Sequence, residues 1–265
     1  MVFQTFSPPS PSPPDFFFKY SQTYNIPIVS RKCRLFSAEE RLQIRAQFPR
    51  GGETYEFFVS PKNEVKFDKK EFEDIVRLKG WLGNDAIDGY LGLAQLFSNA
   101  YNNSRTFVFN SNVYQHFVRP GLPKSWDATF KDLKSSIFDM DTVIVPQWHN
   151  ESHYAITVLK PKDHEWYFCD SLYSSGRYKE TSKNIKTLIE KLYEREELDP
   201  EQWNGYQQIV PQQGFEDGSS CGVYAVRFAV FAMFDMVIDF DWDDEKKGCF
   251  RYQIANDILN QRFSG

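Results

Sequence analysis

Only a few residues in this sequence combine the types and neighbours needed for covalent chemistry. Cys221 stands in DGSSCGVYAVRFAVF, between a loop of small residues and an apolar run. A thiol that opens a helix meets free N–H groups and the positive end of the macrodipole, which favour the thiolate. The amides of the same loop can hold a developing oxyanion. Taken alone, such a cysteine reads first as an inert core residue. Cys33 in the basic front part, Cys169 within a strand and Cys249 in a polar stretch near the end all read as structural.

A nucleophilic thiol needs a base. The four histidines, His116, His149, His153 and His164, all precede Cys221, so an order with the base downstream of the nucleophile is excluded. His116 falls in an expected helix and His164 in a turn, both facing solvent. His149 and His153 flank the polar loop in WHNESHY. His153 opens the strand YAITVL, which would fix its backbone, whereas His149 reads as a freer loop residue and a poorer base. The base in turn needs an orienting carboxylate. Asp170 ends the strand WYFC, and if 154–159 and 166–169 pair antiparallel, His153 and Asp170 become neighbours across the ladder. Asp170 also reads as a simple turn residue before Ser171.

The elements that must position these groups are legible in outline. Runs at 142–146, 154–159 and 166–169 read as strands, the last two joined by the turn-like segment 160–163. Residues 84–99 read as a buried helix. Ile185, Leu188, Ile189, Leu192 and Tyr193 fall at helical spacing. Residues 207–210 read as a short strand, followed by the loop 211–220 and a buried helix from Cys221 to about Ile238. Ser37 and Glu40 are spaced as a capping box for a front helix. Strands and helices alternate without repeats, so the expected class is α+β or α/β, with α+β preferred.

At 265 residues, the chain can bury one substantial core. Its net charge of −5 argues against a nucleic-acid partner. No apolar stretch long enough to span a bilayer is visible, and the start lacks a secretion signal. The separated cysteines suggest neither a zinc site nor a disulfide framework, so a reducing compartment is expected. The expected organisation is a disordered Pro/Ser-rich tail over 1–20, a variable helical extension over 21–58, and one catalytic unit over 59–265.

With these residues in order, the sequence resembles the SUMO-specific Ulp/sentrin-type cysteine proteases, relatives of the adenovirus protease. The resemblance rests on four ordered motifs: Trp81-Leu82-Gly83-Asn84-Asp85-Ala86-Ile87-Asp88, His153-Tyr154, Cys169-Asp170-Ser171-Leu172, and Pro211-Gln212-Gln213 followed by Gly218-Ser219-Ser220-Cys221-Gly222. It covers roughly residues 60–240. It implies a papain-like, adenain-like fold with a central sheet flanked by helices and the nucleophile opening a buried helix. By motif, Cys221 would be the nucleophile, His153 the base, Asp170 its orienting acid and Gln213 the oxyanion-hole glutamine. About two extra residues separate Gln213 from Cys221, which leaves Gln212 as the alternative. Trp81 would lie over the substrate's glycine tail, with Gln212, Asn84 and Tyr154 also facing substrate. Tyr154 replaces a tryptophan of the family, and Asn84 an aspartate that in some members pairs with an arginine of the modifier. That charged contact would be lost unless Asp85 or Asp88 compensates.

The activity so implied is cleavage after the C-terminal Gly-Gly of a ubiquitin-like modifier, SUMO first and ubiquitin or Nedd8 next. No cofactor or metal, no nucleic acid, no membrane and a monomeric state are expected. The place of action would be the cytoplasm or nucleus, or a host cell into which the protein is delivered. Two alternatives stand beside this reading. One is an acetyltransferase of the same clan using acetyl-CoA, and the other is a deubiquitinating effector without SUMO activity.

Overall fold

The computed structural model describes residues 34–60, 63–101, 104–115 and 135–265. The Pro/Ser tract, Cys33 and His116 lie outside the described residues. Its centre is a five-stranded mixed sheet built from β3 (Thr106–Val108), β4 (Thr142–His149), β5 (His153–Lys160), β6 (Glu165–Cys169) and β7 (Asn204–Gln207), in the order β3-β4-β5-β6-β7. The β4-β5 and β5-β6 pairs are antiparallel, while β3-β4 and β6-β7 are parallel. Both faces of the sheet are covered, which is why the central strands read as unbroken apolar runs.

Alternation along each strand divides the interior in two. Val143, Val145, Ala155, Leu159, Trp166 and Phe168 meet the amphipathic helix α4 (Ser175–Glu196) through Ile185, Leu188, Ile189, Leu192 and Tyr193. Ile144, Ile156, Val158 and Cys169 point the other way. There they meet α3 (Asn84–Tyr101), α5 (Cys221–Met233) and α6 (Asp244–Leu259). Every residue of α5 is buried, so the helix that Cys221 opens runs through the middle of the protein.

Ahead of these lie α1 (Ala38–Ala46), the antiparallel pair β1 (Tyr55–Ser60) and β2 (Asn63–Phe67), and α2 (Lys69–Val76). The capping box at Ser37 forms with both arms made. The limit expected at 58/59 falls inside β1, and Phe36, Ile44 and Phe48 share the apolar cluster that contains α5.

Several elements differ from their sequence expectation. The last strand is Asn204–Gln207 rather than 207–210, because it is an exposed edge with a polar sequence and no apolar run to mark it. The helix from Cys221 stops at Met233, where Asp235 takes φ 52 and Met236 N–H returns to the Phe231 carbonyl at 2.8 Å. Helix α6 carried no expectation at all, since the buried polar residues Lys247, Arg251, Gln253 and Asp257 interrupt its apolar stripe.

The edge strand is nevertheless closely fitted. A Cβ on Gly205 would lie 2.0 Å from the ring of Trp166, which is fully buried, and Tyr178 donates its hydroxyl hydrogen to the Gly205 carbonyl at 3.0 Å. Gly205→Ala is therefore expected to cost about 1–3 kcal/mol, seen in thermal denaturation as a fall in Tm of roughly 3–10 °C.

Candidate active site

The register between β5 and β6 ends at Ile156 opposite Cys169. Continued by one residue, it sets Asp170 opposite Ala155, with His153 as the diagonal neighbour on the same face. The side chains meet: His153 Nε2 is 2.7 Å from Asp170 Oδ1. That leaves Nδ1 available to the Cys221 sulfur, and ring and thiol each shift the other's titration. The three residues are 7%, 1% and 5% exposed respectively, so the group sits in a water-poor setting where charge interactions are strong.

Each titration is a contest between burial and partners. Burial pushes the Cys221 thiol up. The His153 ring, the backbone N–H groups of Tyr154 and Gly222 and the imidazolium charge together outweigh it, leaving the thiol below its ordinary value. Burial pushes His153 down, and hydrogen bonds to Asp170 and Cys221 with their charges carry it above the ordinary imidazole value. Burial raises Asp170, and His153, Arg177 and the Leu172 N–H bring it below the usual carboxylate range. Both shifts act in the direction of an imidazolium–thiolate pair.

Helix α5 contributes to the same end. Ser220 stands at its N-cap but makes no side-chain capping bond, so the helix's first amides are not claimed by a hydroxyl. One of them, Gly222 N–H, is among the groups that lower the Cys221 thiol.

Arg177 is the residue sequence reasoning missed. Its Nε donates to Asp170 Oδ2 at 2.8 Å and a terminal nitrogen donates to the Leu172 carbonyl. A cation in the first turn of a helix opposes the macrodipole, and that placement in α4 was the available signal. His149 is a correction. It closes β4, is 3% exposed and is bonded through Nε2 to Gln147 at 3.0 Å, so it is a core residue rather than a loop one. Burial, then the neighbouring His153 charge, lowers its pKa to about 4. His164 sits half-exposed in the turn before β6, 3.3 Å from Glu201. Cys169 and Cys249 are buried free thiols.

The two candidate glutamines are differently placed. Gln212 is fully engaged: its Nε2 donates to the Asp170 and Val210 carbonyls at 3.1 and 2.9 Å, and its Oε1 accepts from Tyr173 N–H at 2.9 Å. Gln213 accepts from Ser171 Oγ at 2.7 Å and gives one hydrogen to the Asp217 carbonyl, which leaves its second N–H uncommitted. Trp81 is 51% exposed, and the next residue, Leu82, packs against Gly222, where an added Cβ would be 3.2 Å from Leu82 Cβ. Asn84 and Tyr154, the two departures from the family pattern, bond each other, hydroxyl to side-chain oxygen, and Asn84 Nδ2 also reaches Asn112 at 3.0 Å. Asp88 is buried with both oxygens on Ser111, so only Asp85 of the two nearby aspartates faces solvent.

A thiol at a helix start, an imidazole and a carboxylate in hydrogen-bonded series, set in a mixed sheet between helices, define the class of papain-like thiol hydrolases. The model of the Ulp1 protease family, C-terminal catalytic domain, matches residues 80–264, and the chain belongs to that family of cysteine peptidases. An Arabidopsis thaliana protein provisionally named ubiquitin-like-specific protease 1B is 23% identical over 214 residues, covering 77% of this chain; the chain spans 61% of that relative's length. Among solved structures, the yeast Ulp1 C-terminal protease domain is similar at TM-score 0.68 and 21% identity, over 86% of this chain and 97% of that one. The Chaetomium thermophilum Ulp1-like SUMO protease catalytic domain is similar at 0.68 and 18%, over 88% and 93%.

The coupling of the three groups gives a titration test. Wild-type Cys221 should alkylate with iodoacetamide along a curve whose midpoint lies below that of an ordinary thiol. In Asp170→Asn, His153 loses its anionic partner, its pKa falls, and the thiolate loses the imidazolium. The midpoint should then move upward, and kcat on any substrate should drop by about 1,000–10,000-fold. An unchanged midpoint would show that the carboxylate does not tune the pair.

Proposed function

We propose that this chain is an isopeptidase and processing protease that cuts after the C-terminal Gly-Gly of a ubiquitin-like modifier, with Cys221 as nucleophile, His153 as base and Asp170 as its orienting acid. The observation that carries the proposal is the buried series of Cys221 at the start of α5, His153 and Asp170, the last two 2.7 Å apart, with Leu82 packed on Gly222 and the preceding residue, Trp81, half-exposed as a ring that can cover the substrate's tail. A chain lying between an aromatic ring and a thiol must be thin, and glycine, with no Cβ, is the residue that fits.

In acylation, His153 Nδ1 takes the Cys221 proton and the thiolate attacks the terminal glycine carbonyl. The oxyanion is steadied by the Cys221 amide at the start of α5 and the uncommitted N–H of Gln213. The intermediate collapses by breaking the C–N bond as His153 gives its proton to the leaving lysine amine. Water then attacks the thioester, His153 accepts its proton, and the carboxylate product departs as the thiol is restored. Gln212, saturated by backbone partners, holds the Asp170 loop instead of binding the oxyanion. The nucleophile works only as a reduced thiol, so we place the enzyme in a reducing compartment.

SUMO is the first candidate modifier. The yeast relative was solved in complex with Smt3, its SUMO ortholog. With Asn84 committed to Tyr154 and Asn112, any acidic contact with the modifier at this edge falls to Asp85. Fluorogenic SUMO, ubiquitin and Nedd8, each ending in Gly-Gly, test the reading. At least one should be cleaved, with turnover lost in Cys221→Ala. No turnover and no Cys221 adduct with a propargyl probe on any of the three would overturn it.

A further inference from the structure

Arg251 lies midway along α6 with no exposed surface, yet its guanidinium reaches three separate stretches of chain. One terminal nitrogen donates to the Ile75 carbonyl at 3.1 Å. The other donates to Gly80 at 2.7 Å and Ser219 at 3.3 Å. These partners are carbonyl dipoles rather than carboxylates. Burial, partly offset by Asp217 and Cys221, brings its pKa down to about 10, so it stays a cation at neutral pH. Enclosing a cation this way is costly. Its use here is geometric, since a planar fork can fix several acceptors at once where an ammonium cannot.

The acceptors are informative. Gly80 immediately precedes Trp81, and Ser219 stands two residues before Cys221. Beyond those residues, Leu82 packs against Gly222. The segments 80–82 and 219–222 are thus fastened at both ends, by a shared cation at Gly80 and Ser219 and by apolar contact at Leu82 and Gly222. Between the two fasteners lie Trp81 on one segment and Ser220 and Cys221 on the other.

We infer that Arg251 is a positioning residue that fixes the spacing between Trp81 and the Cys221 thiol, and so sets the width of the slot through which the modifier's terminal glycines pass. The inference rests on the glycine-tail reading proposed above, and it deepens that reading by assigning the residue that enforces glycine.

Arg251→Lys and Arg251→Met test it on fluorogenic SUMO ending in Gly-Gly and in Gly-Ala. In Arg251→Met, kcat/KM on Gly-Gly should fall roughly 10–100-fold, the preference for Gly-Gly over Gly-Ala should narrow, and iodoacetamide should still alkylate Cys221 within ~3-fold of the wild-type rate. Arg251→Lys, which keeps the charge and reaches fewer carbonyls, should fall between. Equal losses on both substrates, tracking the loss of Tm, would make Arg251 an ordinary core residue and overturn the inference. Amide hydrogen exchange separates its failure from that of the proposed function, because it needs no substrate. Faster exchange in Arg251→Met at both 80–82 and 219–222, with α4 unchanged, supports the clamp even if SUMO is not cleaved. Faster exchange at only one segment, or throughout the protein, counts against it.

Discussion

The structure is organised around keeping one buried carboxylate charged. Asp170 has almost no contact with water, and an ion in that position is tolerated only when donors replace its hydration. Three do: the His153 ring, the Arg177 guanidinium and the Leu172 amide. Each dictates a larger element. His153 requires β5 and β6 to pair in one register. Arg177 requires α4 to begin within a few residues of Asp170, at Ser175, despite the unfavourable sign of its charge there. Leu172 requires the chain to turn back at once after the strand, and Gln212 holds that turn by its bond to the Asp170 carbonyl. The lowered thiol of Cys221 is the last link, since an imidazole is protonated more readily beside a carboxylate that has not itself been neutralised.

How much of this could be read in advance follows from what kind of signal each part leaves. The central strands and α4 were legible because burial on one face or two leaves a periodic apolar trace. His153 and Asp170 could be placed together from strand order alone, while the role of Cys221 needed the family resemblance. Helix α6 left no such trace, since it buries polar residues whose partners are backbone carbonyls far away in sequence. For the same reason Arg251 could not be found, since a guanidinium names no acceptor in the sequence and its partners exist only once distant loops have met, while Arg177 was marked only by its place in the first turn of α4. His149 was misplaced because the hairpin loop is shorter than its polar letters suggest, and β4 extends through it.

The two departures from the family pattern turn out to be one change. Tyr154 in place of a tryptophan brings a hydroxyl, and Asn84 in place of an aspartate offers it a neutral acceptor. The Tyr154 ring keeps an aromatic neighbour in Trp148, stacked at 6.3 Å between centroids. The hydroxyl also ties the start of α3 to β5, close to the amide that serves the sulfur. What looks in sequence like the loss of a charged contact is, in three dimensions, an internal strut.

The stretch before the family-matched region has a further consequence. Val65, Phe67, Phe72, Ile75 and Val76 lie in the same apolar cluster as Cys221, Phe72 stacks on Phe48 at 5.0 Å, and Arg45 donates to the Tyr252 hydroxyl on α6 at 2.7 Å. An accessory that lends its interior to its neighbour becomes foundation. A change to its inner side chains reaches the helix beneath the nucleophile directly, whereas a change to its outer surface meets only water. The mechanical limit of the catalytic unit therefore runs around the core instead of across the chain.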